Sequence, residues 1–463
     1  MTNEEIERIA SLVVERLKAG AAVNSEGWIF GTIDGAVTQA REAQRQLARM
    51  TLEERGKLIE AMRRSIRDNA LKLAEMAHEE TGYGHVEHKL QKNLLAANKT
   101  PGIEDLRTQA WSGDYGLTLV EMAPFGVIGS ITPSTNPPST VINNSISMIA
   151  AGNSVVFNPH PAAKKVSQET MRLLNEAIAS AGGPMGLITT VREPTLETGT
   201  ALMNHKGISL LSITGGEPVV RAAMKSGKKV IAAGPGNPPV IVDDTAILEK
   251  AAKDIVDGAS FDNNVLCVAE KEVFAFKNIT DALIAEMIRN GAFLIKGEDI
   301  KRVLALTLTK KDEEYLINRN YVGRNAVVIL RDAGVAFTGN PRLIIAEVDA
   351  YHPFIMTEML MPVLGIARVK DIDEAVAQAI RAEQGRQHSA MIHSTNIKNM
   401  SYAAHALNTT IFVKNAPSYS GIGFNGEGYA SLTIATPTGE GLTAAHSFTR
   451  ERRCALHGDF RIV

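Results

Sequence analysis

From residue 127 to residue 232 short apolar runs alternate with stretches of helical spacing, and no other feature restricts the fold as much. The apolar runs are 127–132, 154–158, 186–191, 208–214 and 229–232. The stretches 138–151, 164–181, 195–204 and 216–226 lie between them. Runs separated by a helix cannot pair as hairpins. They return by crossover connections, which make a parallel sheet covered by helices on both faces. Such a sheet takes its ligands at the carboxyl ends of its strands.

A second alternation begins near Val240. It predicts helices over 245–258, 279–291, 297–306, 371–383 and 396–407. Strands are expected over 271–276, near 326–330 and 342–347, and over 363–369, 389–393 and 410–413. Upstream, helices are expected over 34–49, 52–80 and 86–98, the second opened by Thr51-Leu52-Glu53-Glu54, which has the form of a helix cap. Residues 117–122 read as a strand. Residues 431–435 and 448–463 mix short β runs with basic side chains. A chain of 463 residues exceeds one ordinary core. The whole reads as an α/β protein with two α/β domains and an appended β element.

Residues 3–19 form a separate amphipathic pattern. Ile6, Ile9, Ala10, Val13, Val14 and Leu17 share one side, and Gly20 is a natural stop. Residues 20–32 read as a linker. The pattern fits either a first core helix or a helix that docks on a partner. A formal net charge of -2 gives no general attraction to nucleic acid or anionic membrane. No apolar stretch is long enough to span a bilayer, and the acidic start is unlike a secretory signal. Cys267 and Cys454 are too few and too far apart for a disulfide framework, so a reducing compartment, the cytoplasm, is expected.

Four loops could carry chemistry. Thr132-Pro133-Ser134-Thr135-Asn136-Pro137 is a proline-framed turn that could present the Asn136 amide to a developing oxyanion, or could bond only to itself. Thr214-Gly215-Gly216-Glu217 opens a helix where backbone N–H groups could meet a phosphate, although no G-x-G-x-x-G fingerprint is present. Asn158-Pro159-His160-Pro161 ends a strand and could contact a nucleotide. In Ser260-Phe261-Asp262-Asn263-Asn264-Val265-Leu266-Cys267 the cysteine is either a buried small hydrophobe, the commoner case, or a nucleophile, and the polar, loop-like approach at Asn263 and Asn264 favours the second more than a lone cysteine would. Scattered histidines give no metal cluster, and no Gly-x-Ser-x-Gly elbow is present.

Taken in order, several segments resemble the aldehyde dehydrogenase superfamily. They are Pro124-Phe125-Gly126-Val127-Ile128, Pro133-Ser134-Thr135-Asn136-Pro137, Ala151-Gly152-Asn153-Ser154-Val155, Thr214-Gly215-Gly216, Cys267 and Thr357-Glu358-Met359-Leu360-Met361-Pro362. Val141-Ile142-Asn143-Asn144, Pro159-His160-Pro161-Ala162-Ala163, Gly258-Ala259-Ser260-Phe261-Asp262-Asn263-Asn264, Ile411-Phe412-Val413-Lys414-Asn415 and Ala435-Thr436-Pro437-Thr438-Gly439 narrow the resemblance to CoA-acylating propionaldehyde and acetaldehyde dehydrogenases of bacterial microcompartments.

The resemblance implies a nicotinamide-binding domain over 21–239, a catalytic domain over 240–430 and a β oligomerisation element over 431–463, joined by part of 113–123. It implies NAD and CoA as co-substrates, a short-chain aldehyde and a homo-oligomer, a dimer or tetramer. Cys267 would be the nucleophile and Asn136 the oxyanion donor. Thr132, Pro133, Ser134, Pro159, His160, Thr214, Gly215, Gly216, Gly234 and Glu358 would line the cofactor site, with no metal. Hydrolytic relatives carry a glutamate base where this chain has Gly234-Pro235-Gly236-Asn237, so the thioester is expected to pass to CoA and not to water. Residues 1–20 would then be the helix that directs encapsulation in a microcompartment shell or core. Three other readings remain open: a hydrolytic dehydrogenase, an acyl phosphate reductase and a non-catalytic assembly protein. For catalysis the site is expected to favour the Cys267 thiolate.

Overall fold

The computed structural model describes residues 27–312 and 314–463. The first alternation closes into a six-stranded, wholly parallel sheet. Its order is Ile29–Phe30, Ile188–Val191, Ser154–Pro159, Val127–Thr132, Leu210–Thr214 and Lys229–Ala233. Side chains alternate across it. Ile128, Val155, Phe157, Ile188 and Leu210 join a core with helices Leu52–Thr81, Pro137–Ala150 and Lys164–Ser180. Val127, Val156, Leu211 and Ile213 face Ile33–Leu47 and Leu196–Asn204 on the other side. The chain order reverses at Val127–Thr132, between Ser154–Pro159 and Leu210–Thr214. A crevice therefore opens beyond the carboxyl ends of these strands.

The second alternation makes a seven-stranded parallel sheet, ordered Ala292–Ile295, Leu343–Glu347, Val363–Val369, Glu272–Phe276, Pro239–Val242, Ser389–His393 and Ile411–Lys414. One expected strand is a helix instead. Ala326–Asp332 is α-helical, with Ala326, Ile329 and Leu330 buried and Val327 and Val328 half-buried. A run of Val-Val-Ile-Leu suits either state, and burial at helical spacing decides it here. Strand Ala292–Ile295 and the hairpin Leu308–Lys311 with Glu314–Ile317 were not expected. They are short, and they sit against predicted helices.

A third, antiparallel sheet pairs Gly116–Pro124 with both Gln109–Gly113 and Thr449–His457. It joins residues more than 300 positions apart in the chain, which no local pattern announces. The expected helix at residues 3–19 lies outside the described residues.

Three buried asparagines tie these pieces together. Asn153 accepts from the Phe125 and Gly126 amides at 2.8 and 3.0 Å and donates to the Phe448 and Met148 carbonyls at 2.9 and 3.3 Å. Asn143 and Asn144 sit on the wholly buried helix Pro137–Ala150 and hold the returning chain at Leu432 and Thr433, each at 3.0 Å. Replacing Asn153 strands several buried backbone groups. Asn153→Ala should cost at least about 2 kcal/mol of stability, read as the midpoint of chemical denaturation. A loss below about 0.5 kcal/mol would contradict this role.

Candidate active site

The loop before Cys267 is built on an unusual backbone. Asp262, Asn263 and Asn264 all take positive φ, at 47°, 53° and 66°. A left-handed turn costs about 1–2 kcal/mol per ordinary residue, and Asp and Asn are the side chains that bear it best. Each of the three is also anchored. Asn263 donates to the Gly323 carbonyl and to Asn325 Oδ1, at 2.9 and 2.7 Å. Asn264 donates to the carbonyls of Ala259 and Glu270, at 2.8 and 3.0 Å, and accepts from Lys271 Nζ at 2.6 Å. Asp262 Oδ1 accepts the His85 amide at 2.8 Å. The neighbouring Gly84, at φ +63°, leaves room for that carboxylate, which a Cβ there would overlap.

The other Asp262 oxygen accepts from Lys89 at 3.1 Å and from Lys92. All three side chains are buried, Lys89 2 %, Lys92 3 % and Asp262 0 % exposed. Burial alone would raise the Asp262 carboxyl. Lys92, Lys89 and the His85 amide outweigh it and hold the group far below the usual carboxylate range. Burial lowers Lys92 to about 8, with Asp262 opposing the shift, so the ammonium persists at neutral pH. Lys92 Nζ also donates to Asn136 Oδ1 at 2.6 Å. Asn136, the residue before helix Pro137–Ala150, is thereby connected to the Cys267 loop.

The cysteine lies at the amino edge of the second sheet, before strand Glu272–Phe276. Glu358, Gly236 and His388 precede other strands of that sheet on the same edge. Gly236 lies so close that a Cβ on it would be 2.8 Å from the Cys267 carbonyl oxygen and 3.0 Å from the His388 ring. The Gly236 amide donates to Glu358 Oε1 at 3.4 Å. Asn237 is fixed by bonds from its amide to the carbonyls of Ile355 and Ala382, both 2.9 Å. Residues 234–237 thus contribute backbone and amide, and no carboxylate, beside the cysteine.

Cys267 is half-buried, while Val265, Leu266, Val268 and Ala269 around it are buried. Burial raises its thiol to about 12. The Glu358 charge adds to the shift, and Lys271 together with the Cys267 and Val268 amides opposes it. This corrects the expectation of a site that favours the thiolate. Lys271, the one cation that favours the anion here, is outweighed by desolvation and by the Glu358 carboxylate. Glu358 itself is raised, chiefly by burial, and Lys271 is lowered to about 8, also by burial.

The remaining expected residues line the carboxyl edge of the first sheet. Thr132 and Pro159 pair across the two strands at their ends. Thr132 Oγ1 is buried and lacks a hydrogen-bond partner, and Pro133 and Ser134 continue the turn, half-buried. Thr214 Oγ1 contacts Thr433 Oγ1 at 2.9 Å. Gly216 precedes helix Glu217–Met224, whose start offers the Glu217 amide alone, since Pro218 has no N–H and the Val219 and Val220 amides bond the Gly216 carbonyl at 3.1 and 3.3 Å. Gly215 lies between them. Gly234 packs under Pro437. His160 is exposed, with Nδ1 taken by the Ala162 amide at 3.1 Å. The orphaned Thr132 hydroxyl and the glycine-lined Thr214-Gly215-Gly216 turn, both on the switch-point crevice, fit a dinucleotide.

Lys89, Lys92 and His388 were missed in the sequence. His85, His88, Lys89 and Lys92 form a stripe at positions i, i+3, i+4 and i+7 of helix Val86–Lys99, and polar groups on a buried stripe were the available signal. His388 is buried, with Nδ1 against Ser389 Oγ at 2.8 Å and Nε2 without a partner. Burial lowers it to about 4, with Lys271 and Arg386 adding to the shift, so the ring is neutral at neutral pH. Its place on the shared edge follows from sheet topology, which local sequence does not carry.

Removing the Glu358 charge should make the thiol more acidic. The alkylation rate of Cys267 in the free enzyme should still rise with pH beyond 9, and Glu358→Gln should move that rise to lower pH. A plateau near the ordinary thiol value of about 8.5 in the wild type would contradict the desolvated site.

Comparison with known proteins gives a consistent family. The model of the aldehyde dehydrogenase family matches residues 31–431. The chain is 46% identical over 469 residues to the acetaldehyde dehydrogenase (acetylating) EutE of Salmonella typhimurium, covering 100% of both chains. It is 49% identical to a propionaldehyde dehydrogenase from the Clostridium phytofermentans fucose utilisation bacterial microcompartment, with TM-score 0.92, covering 94% of this chain and 99% of that one. It is 48% identical to a Rhodopseudomonas palustris propionaldehyde dehydrogenase whose structure has bound CoA and an acylated cysteine, with TM-score 0.91 and coverage of 94% and 99%.

Proposed function

The chain belongs to the aldehyde dehydrogenase family, and we propose that within it Cys267 forms the thioester that is passed to CoA. The enzyme oxidises a short-chain aldehyde, acetaldehyde or propanal, with NAD+ and CoA, giving acyl-CoA and NADH. One observation carries the site assignment. Asn136 and Asp262, in the turn that leads to Cys267, are held in one buried hydrogen-bonded network through Lys92, while the segment touching the cysteine, residues 234–237, carries no base for water.

The Cys267 sulfur attacks the aldehyde carbonyl carbon. Because the thiol is held above neutrality, its proton is given up to solvent as the bond to carbon forms, and it is the one proton released in the net reaction. The resulting oxyanion is met by Asn136 Nδ2, whose single hydrogen-bond partner is Thr135 Oγ1 at 3.3 Å. Such a donor is worth about 100- to 1,000-fold in rate. Bound NAD+ supplies the hydride acceptor. Thr132, Ser134, Thr214, Gly215 and Gly216 would hold the dinucleotide at the first sheet, and Glu358 would reach its nicotinamide end beside Cys267. The acyl group then rests on Cys267. CoA thiol attacks it, a second oxyanion forms at the same place, and its collapse releases acyl-CoA while the thiol's proton ends on the departing Cys267 sulfur, whose raised thiol favours it. A thiol ionises far more readily than water, so no carboxylate base is needed.

The assembly and setting follow the same relatives. The antiparallel sheet leaves Thr449–His457 as an edge, with Arg450 to His457 exposed and Trp111, Tyr115 and Leu456 displayed nearby. Exposed edges of this kind invite pairing between chains, which supports a homodimer or tetramer. The amphipathic pattern of residues 3–19 supports docking to a shell or core protein, and the microcompartment origin of the relatives supports a place inside a bacterial microcompartment in the cytoplasm.

Incubation with propanal and NAD+, followed by acid quench and intact-mass measurement, should show an acyl adduct on the wild type and none on Cys267→Ala. Adding CoA should remove it as propionyl-CoA. Acyl-CoA formation by a folded Cys267→Ala variant would remove Cys267 from its role.

A further inference from the structure

We propose that Lys92 is a positioning residue for both half-reactions, fixing which end of the Asn136 amide meets the oxyanion and placing a buried positive charge beside it. The inference rests on the reading of Asn136 as the oxyanion donor.

An amide side chain presents an acceptor at one end and a donor at the other, and nothing in its shape selects between them. An ammonium selects, because it has donors only. Lys92 Nζ stands 2.6 Å from one end of Asn136, so that end must be Oδ1 and the donor Nδ2 must occupy the other. Lys92 is in turn held by Asp262, which also receives Lys89 at 3.1 Å. Asp262 belongs to the left-handed turn that delivers Cys267. One carboxylate therefore sets the position of the nucleophile and, through Lys92, the orientation of the oxyanion donor.

The charges do not cancel. Two lysines share one carboxylate, leaving a buried excess of positive charge. A fixed charge in a water-poor site acts on developing negative charge far more strongly than one in solvent. Attack on the aldehyde and attack of CoA on the thioester both place an oxyanion on the same carbon. A group acting through that oxyanion must slow both when it is removed. Lys89 supplies the contrast. It is equally buried and bonds the same carboxylate, with no bond to Asn136.

The test is a double-mutant cycle on Lys92→Met and Asn136→Ala, with Lys89→Met as the reference. Two rates are read in rapid mixing: NADH formation from propanal and NAD+, and propionyl-CoA release when CoA meets the acylated enzyme. Asn136→Ala should slow both by about 100- to 1,000-fold. Lys92→Met should slow both by on the order of 100-fold. The double variant should lose no more than about tenfold beyond Asn136→Ala, the share left to the charge once the amide is gone, and Lys89→Met should be clearly faster than Lys92→Met in both steps. Losses that multiply in the double variant, or equal losses in the two lysine variants, overturn the proposal by making the role merely structural. Rates for Lys92→Met within about twofold of wild type also overturn it. If Asn136→Ala is itself not slowed, the oxyanion reading fails instead. Should Lys92→Met not fold, Lys92→Gln, whose amide can present either end to Asn136, enters the same cycle, and multiplying losses there count equally against the proposal.

Discussion

The active site hangs on one buried carboxylate. Asp262 takes two lysines and a backbone amide, and these partners make it affordable to keep the group ionised at complete burial. Removing one partner from such a cluster is far more damaging than replacing the whole by apolar groups. The cluster spans elements distant in sequence. Helix Val86–Lys99 brings the lysines, the loop after helix Leu248–Ser260 brings the carboxylate, and the turn before helix Pro137–Ala150 brings Asn136. The left-handed path of residues 262–264 has a cost, and the anchored side chains of Asp262, Asn263 and Asn264 offset it.

Two parallel sheets meet at this point in opposite senses. The first offers its carboxyl edge, the usual place for a dinucleotide in a doubly wound fold. The second offers its amino edge, where Cys267, Glu358, Gly236 and His388 each stand just before a strand. Gly234 to Asn237 joins the last strand of the first sheet to Pro239–Val242 of the second. The segment that lacks a water-activating base is therefore also the covalent bridge between cofactor and nucleophile. Its glycine at 236 lets the backbone lie against the Cys267 carbonyl, and any side chain there would push the two edges apart.

Much of the fold was legible because parallel α/β structure is written in local periodicity. Strands Val363–Val369 and Ser389–His393 fall where the apolar runs place them, and the long helices begin near their caps. Ala326–Asp332 escaped because four apolar residues in a row fit either period. The association of 113–123 with the C-terminal β element came only from the family resemblance, because no local pattern announces a pairing of Gly116–Pro124 with Thr449–His457. At the site, Cys267 and the Asp-Asn-Asn approach were visible as chemistry. Lys92 was not, since a lysine on a helix reads as solvated until the fold buries it. The acidity of the thiol was misjudged for the same reason: desolvation and the Glu358 charge are properties of the packed site.

A raised thiol and a site without a water base have one shared consequence. The acyl group on Cys267 is kept for a partner whose proton leaves easily. The most direct measurement is the lifetime of the acyl-enzyme in water alone, set against its lifetime on addition of CoA, followed by quenched mass spectrometry of one enzyme sample. The account predicts an adduct that outlasts many turnovers in buffer and disappears within one turnover once CoA is present. Hydrolysis to free acid as fast as turnover, without CoA, would contradict it.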